Sequence, residues 1–238
     1  QTLSNPEVEY MTPSFSAYVQ DTWSLSRRIT LTWGLRWEVA PAPRTTRGIA
    51  QVAGGITSLT DASGFYLIPP GDPFYPTTWT NIAPRIGLGW RLFEIGGSAT
   101  VLRAGAGRFF SSAQSGFQDR MHEGTILRSY TNRPPGNPDL QNPDDESTGS
   151  IASYATGAAK GYNQPSTYQW NVTLEQGIGA QTVSVGYVGA LGRGLIGDVA
   201  RLFPPPNVFV FLLGNLASSS YHAMQVQLTR RMTRRLQF

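Results

Sequence analysis

Four arginines and two glutamates carry most of the chemistry on offer in this chain. Arg36, Arg85, Arg91 and Arg103 fall on the polar side of alternating segments, and Glu38, Glu175, Gln169 and Asn171 share that side. A guanidinium presents a rigid fork of donors that matches carboxylate and phosphate. Two arrangements follow from such a set. One is a structural ladder, in which the arginines pair with Glu38, Glu175 and neighbouring strands. The other is a cationic wall that guides anionic or polar solutes. The ladder is the simpler expectation, because charges held inside a structure need partners first.

No other pattern reads as a reaction centre. The chain holds 2 His, too few for a zinc triad. His122-Glu123 does not open a metalloprotease motif, since Ile126 stands where the second His belongs. Asp139, Asp144, Asp145 and Glu146 could surround Ca²⁺ with oxygens, but their spacing is not that of an EF-hand loop, and a solvated acidic loop explains them. Gly192-Arg-Gly-Leu-Ile-Gly197 matches the dinucleotide-binding glycine pattern, yet Pro204-Pro-Pro blocks a long helix after it and no acid follows at the required distance, so a turn is expected there. Asn171-Val-Thr matches a glycosylation pattern but sits within a strand. Catalytic, cofactor-binding and metal residues are therefore all assigned as none, and no enzyme activity is expected.

The segments that hold these residues alternate strictly. In 29–38, Ile29, Leu31, Trp33, Leu35 and Trp37 point one way, and Thr30, Thr32, Gly34, Arg36 and Glu38 the other. Similar strands are predicted over 14–24, 84–93, 99–110, 166–176, 181–190 and 219–230. Short turns join some of them, near 26, 96, 178 and 232. Long polar stretches rich in Gly and Pro, 40–82, 111–165 and 191–218, join the others. Short turns on one side and long loops on the other is the rhythm of an outer-membrane barrel. Strands of about ten residues, tilted near 45°, span roughly the apolar band of such a barrel. The polar face carries Gly and Arg where a soluble core would want Val or Leu. Asp21 and Arg108 interrupt the oily face, each near a strand end.

The totals agree. Charged residues make up 14%, well below the usual quarter of a soluble protein, and aromatic residues 11%. There is no Cys, which rules out disulfides and thiolate metal sites. The longest apolar run, Val208–Leu213, is far too short for a membrane helix, so any membrane crossing is by strands. The net charge is +4. Arg-rich turns at 27–28 and 230–235 are read as solvated turns or lipid-phosphate contacts, because no nucleic-acid-binding motif accompanies them.

Tyr18-Val-Gln-Asp-Thr-Trp23, followed by Leu31-Thr-Trp-Gly-Leu-Arg-Trp-Glu38, resembles the barrel of TonB-dependent outer-membrane transporters. Asn81-Ile-Ala-Pro-Arg-Ile-Gly87, Arg103-Ala-Gly-Ala-Gly-Arg-Phe-Phe110, Tyr168-Gln-Trp-Asn171 and Ser220-Tyr-His-Ala-Met-Gln225 resemble its Oar-like branch. The resemblance implies a 22-stranded barrel, an N-terminal plug and coupling to a TonB-type partner; this chain shows no plug and no TonB-contacting box.

The expected fold is all-β: an antiparallel up-and-down transmembrane segment of about seven to eight strands, forming an open, curved, incomplete barrel over 14–238 after a polar lead-in at 1–13. Arg36, Glu38, Arg85, Arg91, Arg103, Gln169, Asn171 and Glu175 are expected to face the lumen. Trp23, Leu31, Trp33, Trp37, Leu88, Trp90, Tyr168, Trp170, Val185 and Tyr187 are expected to face lipid or its aromatic girdles. The expected partners are outer-membrane lipid and an unidentified ligand, and nucleic acid is not among them. A porin-like or adhesive barrel without energy coupling, and a soluble carbohydrate-binding sandwich, are the alternatives.

Overall fold

A computed structural model describes residues 2–3, 9–48, 52–54, 66–111, 126–129, 150–203 and 208–230. Fourteen strands form among the described residues: β1 (Thr2–Leu3), β2 (Glu9–Met11), β3 (Phe15–Ser24), β4 (Ile29–Val39), β5 (Arg44–Arg47), β6 (Val52–Gly54), β7 (Tyr66–Leu67), β8 (Asn81–Ile95), β9 (Ser98–Phe110), β10 (Ile126–Ser129), β11 (Ser150–Ala158), β12 (Ser166–Ile178), β13 (Gln181–Phe203) and β14 (Val208–Arg230). No helix forms among the described residues. The first five expected long strands lie where the alternation put them.

Seven strands build an antiparallel meander, β3-β4-β8-β9-β12-β13-β14, each paired with the next of the seven. Its turns are tight for local reasons. Gly96 and Gly97 both take positive φ, 56° and 76°, which lets a two-residue hairpin turn follow the strand twist. Ser26 closes the β3–β4 turn by accepting from the amides of Arg28 and Ile29. The sheet does not close among the described residues, since β3 pairs with β4 alone. The acidic cluster 139–146, His122, the turn near 232 and the start of an eighth strand lie outside the described residues.

The register carries one face across the whole meander. Trp23, Leu31, Leu88, Ala104, Val172, Tyr187 and Met224 form a single cross-strand row. A neighbouring row on the opposite face reads Thr22, Thr32, Gly87, Gly105, Asn171, Val188 and Ala223. The oily residues point outward without cover: Met224, Val226 and Leu228 are 74%, 64% and 59% exposed.

The stretch 191–218, expected as a long loop, is mostly strand. β13 and β14 stay paired far beyond the membrane-length part, from Gln181↔Arg230 to Phe203↔Val208. The reason lies in the apolar run Val208–Leu213. Its register is parallel with β11, from Ser153↔Val208 to Ala158↔Leu213, and β11 in turn pairs in parallel with β6. Val210 and Leu212 on one side of the pleat, and Leu213 on the other, are all buried. Strands buried on both faces read as continuous apolar runs, not as alternation.

Among the described residues the dry core therefore lies at the long-connection end, beyond the membrane-length part of the meander. Ala42, Val52, Ile68, Phe74, Tyr75, Tyr162 and Leu213 pack there, with Tyr10, Ala158 and Ile196 against them. Tyr75 and Tyr162 meet at 4.7 Å between ring centroids. Burial raises the phenol pKa of both, and for Tyr162 the neighbouring Tyr75 adds to the rise. The segments expected as loops 40–82 and 111–165 thus contribute short strands and core residues.

Candidate functional site

The glycine pattern at 192–197 is not a phosphate loop. It lies inside β13, where the β13–β14 register shifts twice, between Gly192, Leu195 and Ile196. Gly194 takes φ 62° there. The Asn215 side chain braces the irregularity, donating to the carbonyls of Gly194 and Asn163 and accepting from the Asn163 amide.

The polar face is the better candidate, and its charges are unevenly matched. Arg36 Nε lies 2.6 Å from Glu38 Oε1 on the same strand. Arg103 Nε reaches Glu175 Oε1 across the β9–β12 pair at 3.1 Å. Arg91 Nη2 contacts Glu94 Oε1 at 2.5 Å near the β8–β9 turn. Glu94 is a partner the alternation gave no reason to single out. Arg85 differs from these three. Among the described residues it makes no ion pair, and its guanidinium lies over the Phe109 ring, 5.2 Å from the centroid. Its cross-strand neighbours are Gly34 and Gly107. A Cβ on either glycine would stand 3.2 Å from the Arg85 side chain, so the two glycines give it room.

Arg85 borders a cavity of about 480 Å³ on this face, shared with Ser16, Arg36, Glu38, Phe109 and Gln164. Gln164 anchors one rim, accepting a hydrogen bond from the Asn81 amide group. The Arg36–Glu38 pair is internally compensated, which leaves Arg85 as the cation available to a solute. Gln169 lies in the same cross-strand row, Gly34-Arg85-Gly107-Gln169, and Asn171 covers Gly105. Phe109, Gln164 and Asn81 are site residues that sequence reasoning passed over. Phe109 carried a usable signal, since it alternates with the outward Arg108 and Phe110.

A family model for the outer membrane beta barrel domain matches residues 1–238. The chain belongs to this family. None of the curated proteins matches it in sequence. Among solved structures, the copper transporter OprC resembles it with a TM-score of 0.50 at 13% identity, over 94% of this chain and 27% of that one. The siderophore receptor PirA from Pseudomonas aeruginosa gives 0.49 at 13% identity, over 94% of this chain and 32% of that one. The chain spans a third or less of either protein's length, and the likeness to OprC is one of fold alone. The protein is placed in the bacterial outer membrane by its family.

In this barrel domain the breaks in the oily face are locally answered. The Trp23 indole donates to Asp21 Oδ2 at 2.6 Å and the Thr22 amide to Oδ1 at 2.7 Å, so the outward carboxylate keeps donors at the short-turn end. Trp23 also meets Trp33 edge-on at 5.9 Å. The Trp37 indole donates to the Trp79 carbonyl at 2.7 Å. Further along the sheet, Tyr187 Oη and His222 Nδ1 are 2.7 Å apart and their rings stack. Trp170 lies across Gly189, where a Cβ would come within 2.3 Å of the indole. Leu31, Leu88, Trp90 and Val185 complete the outward rows through their cross-strand pairs.

Proposed function

We propose that this domain is part of the barrel of a TonB-dependent type receptor that takes up an anionic or polar ligand, and that it works without enzymatic chemistry. The observation that carries the reading is the cavity at Arg85. A guanidinium without an acidic partner among the described residues, spaced by glycines and backed by Phe109, stands on the polar wall of an outer-membrane sheet. A fixed guanidinium fork suits carboxylate- or phosphate-bearing solutes. Glycine-rich inner rows suit a wide lumen that holds a plug or water rather than interlocking side chains. The sequence motifs point to the Oar-like branch, and a plug and a TonB-type coupling protein are the partners this reading supplies. Nucleic acid has no role in it.

Two measurements on the full-length protein test the proposal. In planar bilayers it should stay closed without energy coupling; steady open channels would favour a porin instead. In cells, Arg85→Ala should reduce depletion of anionic solutes from the medium, and loss of the TonB-type partner should abolish it. Depletion unchanged in both strains would end the reading.

A further inference from the structure

The outward face of the meander is not uniformly filled. Along the cross-strand row Trp33-Ile86-Ala106-Trp170, three large side chains flank one small one. Two residues along β9, Ala104 repeats the small size between Leu88 and Val172. The result is a trough running along β9. Its upper part holds about 590 Å³, between Trp33 and Ile86 on one side and Tyr168 and Trp170 on the other. A second hollow of about 350 Å³ continues it past Ala104.

Arg108 closes the long-connection end of this trough, two residues from the end of β9. It faces outward with the oily residues, pairing in register with Tyr168. Its guanidinium is held between rings, 4.4 Å from the Phe110 centroid and 5.3 Å from that of Tyr168. Nη2 reaches Ser166 Oγ at 3.3 Å. Nε is buried and has no hydrogen-bond partner among the described residues, and no carboxylate pairs with the group there. A cation on a lipid face costs least near the interface, but it still calls for an anion.

The geometry points to a built lipid site: one acyl chain of an anionic lipid lies in the trough over Ala104 and Ala106, and its phosphate sits on Arg108. The apolar walls select a hydrocarbon chain, and the unpaired guanidinium selects a phosphate at the interface. This rests on the oily face meeting the bilayer, and not on the transport reading.

Native mass spectrometry of the full-length protein in detergent tests it, with phosphatidylglycerol and phosphatidylcholine of identical chains offered together. The unaltered protein should retain the anionic lipid about tenfold more than the zwitterionic one, the size of one charge-assisted hydrogen bond. R108Q should remove that preference while leaving total lipid retention in place. A106F, which fills the trough, should lower retention of both lipids. Equal retention of the two lipids by the unaltered protein overturns the site, whether or not either variant folds. So does a preference that survives R108Q.

Discussion

The two halves of one strand, β14, live by different rules. From Ser219 to Arg230 it alternates, and its oily residues stand open, Met224 at 74% exposure. From Val208 to Leu213 it is apolar at every position, and Val210 and Leu212 are wholly covered at 0%. In the first half the protein provides only hydrogen bonds and one oily face; the bilayer completes the packing. In the second half the protein completes its own core, from segments far apart in the chain. The change occurs at the double register shift braced by Asn215. A single hairpin thus serves as a membrane stave at one end and as the central strands of a soluble-type core at the other.

The largest expected difference between the two regions is one of side. Cysteines at Asp72 and Ala180 occupy opposite ends of the meander, both exposed. An impermeant thiol reagent applied to intact cells should label Asp72→Cys and spare Ala180→Cys; the reverse would invert the topology.

Next comes the dry core. Leu213→Ala should cost about 2–5 kcal/mol, the range for a buried leucine. The loss should fall on the outer region alone, read as protease sensitivity at 150–158 while the barrel still runs as a folded band on an unheated gel. Simultaneous loss of both would show that the regions fold as one unit.

On the bilayer side, Leu88→Arg should cost about 2–4 kcal/mol in folding into vesicles, and Thr173→Arg distinctly less, because the register puts them on opposite faces. Equal losses would break the assignment of faces.

The buried phenols offer a test by pH. Folding raises the pKa of Tyr75 and Tyr162 above the ordinary value near 10. Their contribution to stability is therefore complete below about pH 10 and is lost as pH rises beyond it. The outer region should become protease-sensitive in alkali before the meander does, and Tyr75→Phe with Tyr162→Phe should delay that step to higher pH.

The smallest effect belongs to the polar wall. Glu175→Gln removes the partner of a largely exposed Arg103, so the cost should be about 0–1 kcal/mol and should shrink with added salt. A larger, salt-insensitive loss in urea titrations would mean that the pair is more enclosed than its exposure indicates.

The meander was legible because its physics is periodic. Period-two alternation in Ile29–Val39 and its counterparts sets both strand and face, and Gly96-Gly97 marks its own turn. The outer region was not legible, because its pairing is long-range and its apolar run has no period. Val208–Leu213 stood out in the sequence as the longest such run, and that was the available signal for a strand buried on both faces. The ion pairs of Arg36 and Arg103 follow from facing carboxylates. The isolation of Arg85 does not, since it depends on what its neighbours across the sheet happen to be, and these are glycines far away in sequence.

The parallel pairing also sets an order of events in time. Every link of the meander joins a strand to the next of its seven, so no pairing in it waits on a strand further along the chain. β6 must find β11, Val52 with Thr156, and β11 must find β14, Tyr154 with Phe209. Those searches close long loops, and the second cannot finish until β14 is in place. The core at the long-connection end therefore forms only once β14 is present, and it becomes a checkpoint: a molecule in which that core is closed already holds all seven strands of the meander.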